Sequence, residues 1–331
     1  MWPEGVRSLS AMSLNELAAG LVDELAAEEA RLETASSRLE CGALVVDAGV
    51  HVAGSLAAGR LFAEVCLGGL GHVQFQELHL GDLVLPGVAV SVSRPVLACM
   101  AAQYAGWAVN VPVGDEGRKY FAMGSGPARA LHRREPLFDD LEVEESASVA
   151  VLALEARDLP PDEVARYVAQ RCGVAPPAVS LVVAPTASIV GSVQVAARVV
   201  ETGLHKMHEI GFGLGAVRAG FGTCPLAPVA GDDLAAIGRT NDAVLYGGRA
   251  WYTVDCDDAV LEEVVPRLPS CGSRDYGASF AELFRRYDGD FYKIDPLLFS
   301  PAEVTLTNTR SGRTFKAGGV APDLVGATLL S

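Results

Sequence analysis

The stretch SLVVAPTASIVGSVQVAARVVETGLHKMHEIGF, residues 180–212, contains the pattern that decides the fold. Its apolar beginning predicts a buried strand, a loop with proline and threonine follows, and the remainder predicts a helix from about Val190 to Ile210. Residues 172–197 carry no charge. The prolines and glycines among them favour a strand, loop and helix over a span of the membrane.

One face of this predicted helix carries the candidate chemistry. Most other residues of its first three turns are Val or Ala, so a single polar stripe is expected to face a cavity. Arg198 and Glu201 could equally form a surface ion pair of little consequence, and their spacing alone leaves both interpretations open. The stripe has spacings of 4, 3, 4 and 3 residues and consists of Gln194, Arg198, Glu201, His205 and His208.

Further elements are predicted on the N-terminal side of this stretch. Ser13 and Glu16 form a capping box, and leucines at helical spacing extend the predicted helix over residues 14–38. Short apolar runs and segments rich in small residues then predict alternating strands and helices. The strands are expected within 42–49 and near 72–78 and 87–93, and the helices within 53–69 and 95–106.

A stretch of charged and turn residues, 132–148, separates this region from a second one. There a strand is predicted within 149–156, a helix over 162–173, and a hairpin over 303–319. We therefore expect an α/β protein, with α+β elements mixed, built as two lobes with a cleft between them. The first lobe, 1–145, has the N-terminal helix; the second, 146–331, has the polar helix and the hairpin, and the lobes can exchange segments.

The two regions share a weak similarity. Residues 44–75 match 181–212 without a gap, including LVV at the start of both segments. If the similarity reflects a duplication, two similar lobes would face each other across a cleft, where ligands commonly bind. Glu64 corresponds to Glu201 but Leu61 corresponds to Arg198, so only the second lobe should carry the chemistry.

A second candidate motif is GRTNDAVLYGG, residues 238–248. It places Arg239, Thr240, Asn241 and Asp242 where a helix is predicted to give way to a strand. Polar groups at the end of an element can converge on a ligand. A turn stabilised by an Asx side chain, with a surface arginine, is the alternative.

A third candidate is GSGPARA, residues 124–130. Its proline follows Ser125 and Gly126, which is typical of a helix start whose free N–H groups could hold an anion. A lone GxG is weak evidence, and neither a Walker loop nor a dinucleotide fingerprint is present.

Composition excludes several classes of function. The formal net charge of −15 and the lack of a basic run disfavour binding to nucleic acid or to an anionic membrane. The seven cysteines include no CxxC pair and the six histidines lack metal-ligand spacing, so we expect neither a disulfide framework nor a metal. No GxSxG elbow supports covalent catalysis. The N-terminus lacks a signal peptide pattern, which predicts a cytoplasmic protein.

In these residues and motifs, the chain resembles the methenyltetrahydromethanopterin cyclohydrolases, a family of pterin-dependent one-carbon enzymes. The similar motifs keep their order over more than two thirds of the chain. They are AGW (105–107), YFAMGSGPARAL (120–131), VQVAARVVETGLHKMHEIGF (193–212), GRTNDAVLYGG (238–248) and FYKIDPLLFSPAEVTLTNTRSGRTFKAGGV (291–320).

The resemblance implies an active site in a cleft between two α/β domains and a homo-oligomer, commonly a trimer. It implies a tetrahydromethanopterin derivative as the substrate, with no metal and no redox cofactor. The catalytic Arg and Glu of the family fall on Arg198 and Glu201, and residues 1–11 look like an extension ahead of Met12. The residues expected to bind substrate are Gln194, Ser125, Gly126, Arg129, Arg239, Thr240, Asn241 and Asp242.

The implied reaction is the reversible hydration of a methenyl bridge between two pterin nitrogens. Glu201 would take the proton of the attacking water, and Arg198 would orient that carboxylate and keep it ionised. Arg239, Arg129 and Lys293 are candidates for holding an anionic tail of the substrate. The alternatives are a subunit of another formyl-pterin enzyme and a catalytically silent pterin-binding protein.

Overall fold

The computed structural model describes residues 13–114, 117–288 and 293–330. The described residues form two six-stranded sheets and helices on and between them, which confirms the α/β class with mixed elements. The proposed extension, residues 1–11, lies outside the described residues. None of the described helices is both long and apolar enough to cross a bilayer.

Along the chain, groups of two or four consecutive strands belong to one sheet and then to the other. The first sheet has the order β1-β2-β8-β7-β6-β5, and the second has the order β12-β11-β10-β9-β4-β3. In chain order the strands are β1 (Ala35–Arg38), β2 (Leu44–Asp47), β3 (Gly71–Leu80), β4 (Leu83–Val92), β5 (Trp107–Val113), β6 (Arg118–Ser125), β7 (Ala150–Glu155), β8 (Val179–Ala184), β9 (Val217–Pro225), β10 (Arg249–Val254), β11 (Glu303–Asn308) and β12 (Thr314–Gly318).

Both sheets take strands from each side of residue 146. Strands β3 and β4 join the C-terminal strands through β9, and β7 and β8 join the N-terminal strands through β2 and β6. The division into lobes 1–145 and 146–331 stays a prediction, with the exchange of segments for which it allowed.

The helices of the described residues are short or of medium length. Between β4 and β5 a π-helix, Val96–Gln103, replaces the ordinary helix expected over residues 95–106. In chain order the α-helices are α1 (Leu14–Ala27), α2 (Glu29–Leu32), α3 (Leu56–Cys66), α4 (Ala128–His132), α5 (Leu137–Asp140), α6 (Asp162–Cys172), α7 (Ile189–Ala196), α8 (Val199–Glu209), α9 (Asp233–Gly247), α10 (Asp258–Val264), α11 (Phe280–Arg286) and α12 (Pro322–Leu329).

The first sheet is buried on both faces. Along β7, Leu152 and Leu154 pack with helix α6, whereas Val151 and Ala153 pack with helices α1 and α3. This alternation follows from the two-residue period of a strand. The three strands β2, β8 and β7 run parallel, so their carboxyl ends lie at one edge of the sheet.

The predicted helix over residues 14–38 ends early. Glu33 adopts a left-handed backbone conformation with φ of 55°, which stops the helix after Leu32. Residues 35–38 then pair with β2 as an antiparallel strand. The helical spacing of the leucines was therefore a correct guide only as far as Leu32.

The helix predicted from Val190 to Ile210 is two helices, α7 and α8. Arg198, with φ of −81° and ψ of 0°, separates them, and the side-chain amide of Gln103 donates to the carbonyl of Ala197 at 3.1 Å. The break exposes a main-chain acceptor that this distant residue satisfies. No local pattern marks the break, because its partner lies on the π-helix.

The two segments of the possible repeat lie side by side. Strand β2 pairs with β8 in parallel, and α3 packs on α7. The approach is close, because a Cβ added at Gly59 would lie 2.7 Å from the side chain of Val193. The serine caps differ in position, however: Ser55 caps α3, but Ser188 and not Ser192 caps α7. A duplication stays a prediction.

Candidate active site

The carboxyl end of the π-helix is the point around which the candidate site is built. Its main-chain carbonyls accept hydrogen bonds from four residues that are distant in sequence. Ser125 Oγ and Arg198 Nη1 donate to the Gln103 carbonyl at 2.5 and 2.7 Å. The amide of Gly126 donates to Ala102 at 2.8 Å. Arg129 supplies the remaining contacts, to the carbonyls of Met100 and Ala102.

Arg198 and Glu201 form a buried pair beside this point. Arg198 Nη1 lies 3.8 Å from Glu201 Oε2, and their side chains are 12% and 5% exposed. Arg198 Nε also donates to Gln194 Oε1 at 3.1 Å. The guanidinium is thus held by three partners, which distinguishes this pair from an exposed ion pair on a helix surface.

Burial controls the protonation of Glu201. Desolvation raises the pKa of its carboxyl from 4.5 to about 7, and this outweighs the opposing effects of the Arg198 and Arg129 charges. Arg198 thus favours the ionised form of Glu201, as expected, but burial favours the protonated form more strongly. A carboxyl with a pKa near 7 can both accept and return a proton at neutral pH.

The raised pKa of Glu201 predicts a pH dependence of stability. Because the folded state holds this proton more tightly than the unfolded chain, the free energy of unfolding should fall as pH rises from about 4.5 to about 7. Glu201→Gln removes this dependence. We expect the melting temperature of the variant, relative to the unmodified protein, to increase between pH 5 and 7 and to level above pH 7. A difference that stays constant from pH 5 to 8 would contradict the shift.

Gln194 connects the pair to a cavity through Glu155. Its amide donates to Glu155 Oε2 at 3.1 Å, and Thr186 Oγ1 donates to the other carboxylate oxygen. Glu155 ends β7 and Thr186 follows β8, so both lie at the carboxyl edge of parallel strands, where α/β proteins commonly bind ligands. Glu155 was not among the predicted site residues, although a lone acidic residue at the end of an apolar strand is a usable signal.

The cavity has a volume of about 820 Å³ and opens between the first sheet and α9. Glu155 and Thr186 contribute polar groups to its wall, and Ile237 of α9 contributes an apolar one. Arg118 and Lys119 also line it. A wall of mixed apolar and polar groups on this scale suits a small organic molecule.

Arg129 lies inside the protein. It is fully buried, makes a bidentate ion pair with Glu135, and donates to two π-helix carbonyls at 3.0 Å. Four of its five N–H donors are therefore directed at protein groups. Helix α4, with five residues, begins beside buried Ser125 and Gly126. The GSGPARA motif fixes the π-helix and so fixes the acceptor of Arg198.

Residues 239–242 lie in the middle of α9 and not at its end, which corrects the expected position. Thr240 and Asn241 donate to carbonyls of the preceding turn at 2.8 Å, and Asp242 accepts from the amide of Phe280 at 2.9 Å. Burial raises the pKa of Asp242 to about 7. Asn241 is one turn from Ile237 and so is near the cavity wall, whereas Asp242 anchors α11.

The remaining polar residues of the stripe extend away from the pair. His205 stacks on Tyr104 with ring centroids 5.0 Å apart, and His208 Nε2 lies 3.0 Å from Asp140 Oδ2. Burial lowers the pKa of His205. Within residues 13–114, 117–288 and 293–330, no three His, Cys, Asp or Glu side chains are grouped as they are around a metal ion.

Comparison with known proteins places the chain in one family. The family model described as Cyclohydrolase (MCH) matches residues 13–329. The methenyltetrahydromethanopterin cyclohydrolase of Methylobacterium organophilum is 46% identical over 321 residues, 97% of this chain and 98% of that protein. The protein of the same name from Methanocaldococcus jannaschii is 44% identical over 323 residues, 96% and 98% of the two chains. The chain therefore belongs to the methenyltetrahydromethanopterin cyclohydrolase family.

Proposed function

We propose that this protein interconverts 5,10-methenyltetrahydromethanopterin plus water and 5-formyltetrahydromethanopterin. The observation that supports the chemistry best is the buried pair of Arg198 and Glu201, with the pKa of Glu201 raised to about 7. Relatives that are 40–46% identical over nearly their whole length carry the name of this activity. The pterin is the substrate, and the proposed reaction requires no resident cofactor.

The substrate contributes most of the electrophilicity. Its bridge carbon lies between two nitrogens and carries amidinium character, so water can attack it without a Lewis acid. We propose that ionised Glu201 accepts a proton from this water as the new C–O bond forms. The protonated carboxyl then gives its proton to one nitrogen as the C–N bond to that nitrogen breaks. The hydroxyl of the adduct loses its own proton to solvent as the C=O bond forms, so the formyl group remains on the other nitrogen and one proton is released overall.

Arg198 acts on both Glu201 and the incoming oxygen in this proposal. Its contacts with Gln194 and the Gln103 carbonyl hold the guanidinium in one place, so the charge need not reorganise during the reaction. A fixed cation 3.8 Å from the carboxylate stabilises the ionised base. The same cation can stabilise negative charge on the attacking oxygen.

The cavity of about 820 Å³ is the proposed place for the pterin. Arg198 and Glu201 do not line it and are joined to it through Gln194 and Glu155, so the proposal requires the bridge carbon to lie at the Gln194 side of its wall. Glu155 could accept hydrogen bonds from the donor edge of a pterin ring, because each of its oxygens keeps acceptor capacity beyond one bond. Ile237 of α9 lines the same wall, and Asn241 donates to its carbonyl. Arg239 and Lys293 remain proposed contacts for an anionic tail, and we propose a homo-oligomeric, cytoplasmic enzyme.

A spectroscopic assay tests the proposed function. Purified protein added to methenyltetrahydromethanopterin should accelerate loss of the methenyl chromophore far above the slow hydrolysis in buffer. A catalytically silent pterin-binding protein would shift or quench the chromophore at stoichiometric concentration without turnover. An absence of acceleration over buffer, with the protein folded, would exclude the proposed activity.

A further inference from the structure

A second concave site lies on the far side of α4 from the π-helix contacts. It has a volume of about 550 Å³ and lies between the ends of α4 and α6. No carboxylate lines it. Its walls are Leu131, His132, Arg133, Arg134, Gln170 and Arg171.

The arginines of this pocket lack anionic partners. Arg133 donates one Nη1 hydrogen bond to the Val143 carbonyl, and Arg171 lies 5.1 Å from the centroid of the Tyr167 ring. Among the residues that the structure describes, no carboxylate forms an ion pair with Arg133, Arg134 or Arg171. Many other arginines of the described residues pair with a carboxylate, for example Arg129 with Glu135 and Arg198 with Glu201.

The three arginines are exposed, so solvent and salt screen much of the repulsion between their charges, and a bound anion relieves what remains. The formal net charge of the chain is −15, so a local excess of cations is not a reflection of its composition. Interaction with helix dipoles explains a cation in the last turn of α6, Arg171, and one just after α4, Arg133. It does not explain Arg134.

The charges also converge on His132. This ring is half-buried, stacks on Trp107 with centroids 4.1 Å apart, and has a lowered pKa, through burial first and then through the charges of Arg171 and Arg134. The single N–H of the neutral ring is directed at the main chain of Arg171, so the guanidinium groups are the donors available to an oxyanion. Gln170 offers an amide donor on the same wall.

We propose that this pocket binds a phosphate-type oxyanion, either inorganic phosphate or a small phosphate monoester. The planar guanidinium group matches the geometry of phosphate oxygens and binds them through paired hydrogen bonds. The volume admits a phosphate with a small substituent. Because α4 continues from Arg129 into the pocket, bound anion would also order the segment that leads to Glu135.

Calorimetric titration of the full chain tests the site, with inorganic phosphate in one arm and methyl phosphate in the other, at an ionic strength fixed with chloride. Saturable binding of at least one of the two is expected, and its affinity should fall at least about tenfold in Arg134→Gln/Arg171→Gln. The matched control is Arg267→Gln/Arg286→Gln, which removes two exposed arginines elsewhere. That control should change the affinity by less than about twofold, whereas the variant in the pocket should lose about tenfold.

Three results would overturn the proposal. They are the absence of saturable phosphate binding in the unmodified protein, an equal loss of affinity in the control variant, and a change in subunit association of the Arg134→Gln/Arg171→Gln variant without a change in its phosphate affinity. If the double variant does not fold, Gln170→Glu provides a second test. It places a carboxylate in the pocket and should repel phosphate, whereas undiminished binding in this folded variant contradicts the site.

Discussion

Replacing Glu201 by Gln should lower kcat for hydration of the methenyl bridge by about 10²–10⁴-fold and leave KM nearly unchanged. The amide has the shape of the protonated carboxyl, and the pKa of about 7 shows that the folded site already accommodates that neutral form at mildly acid pH. The fold and the pocket should therefore persist. The variant loses only the group that takes the proton from water. Initial rates measured over a range of substrate concentrations give kcat and KM and test this expectation.

Glu64→Gln is the matched control for this variant. The Glu64 side chain is nearly as buried as that of Glu201, 7% against 5% exposed, and also pairs with an arginine, Arg60, at 2.8 Å. It accepts a hydrogen bond from the amide of Val73 and lies on α3, on the other segment of the possible repeat. We expect its removal to affect stability but to leave kcat within a few-fold. Equal losses of kcat in both variants would mean that any buried carboxyl of this kind supports the fold and that Glu201 is not the base.

The pH dependence of the rate distinguishes a proton acceptor from a structural carboxyl. Glu201 must be ionised to accept a proton, so kcat for hydration should rise with pH through about 7 and then level. Glu201→Gln should have a low rate without this step. The step belongs to the acid–base group itself, and a residue that only supported the fold would not produce it.

The sequence predicted the strand and helix order around residue 201 because hydrophobic periodicity is a local property. The same period placed Gln194, Arg198 and Glu201 on one face, and this held even though the helix is broken at Arg198. The contacts of Arg198 with Gln194 and with Glu201 show that the 4, 3 spacing survives the break. The face was therefore predictable, whereas the break was not.

The parts of the site that escaped prediction depend on contacts between distant segments. The π-helix differs from an α-helix by hydrogen bonds to the fifth residue, as between the Tyr104 amide and the Cys99 carbonyl, and its sequence is simply apolar. Gln103 is 94 residues from Ala197, whose carbonyl it satisfies. Arg129 has the features of a ligand-binding arginine in the sequence, but its partners are Glu135 and two carbonyls of the π-helix.

These contacts make the π-helix the support of the proposed catalytic pair, Arg198 and Glu201. Ser125, Gly126 and Arg129 of one motif fix its last carbonyls, and Arg198 binds to the carbonyl of Gln103. A displacement of this end would move the guanidinium and, with it, the charge beside Glu201. In this chain the GSGPARA motif therefore has a structural role, because it places the main-chain acceptor of Arg198.

Replacing Arg198 by Lys should lower kcat by about 10²–10³-fold, even though the positive charge is retained. The guanidinium contacts Gln194 Oε1 at 3.1 Å through Nε, and it contacts the Gln103 carbonyl at 2.7 Å and Glu201 Oε2 at 3.8 Å through Nη1. A single ammonium group cannot keep all three contacts. Arg60→Lys is the matched control, since Arg60 pairs with a buried glutamate on α3 and should tolerate the change.

Arg198→Gln separates the role of the charge from the role of the geometry. Without the cation, the pKa of Glu201 should rise further above 7, because burial would then act with less opposition. The midpoint of the pH–rate profile should consequently move to higher pH in Arg198→Gln and much less in Arg198→Lys. If Arg198→Lys kept more than half of kcat, a charge anywhere near Glu201 would be sufficient, and the fixed contacts with Gln103 and Gln194 would have no part in catalysis. A slow Arg198→Lys with an unshifted midpoint would instead assign the loss to the position of the guanidinium at the attacking oxygen.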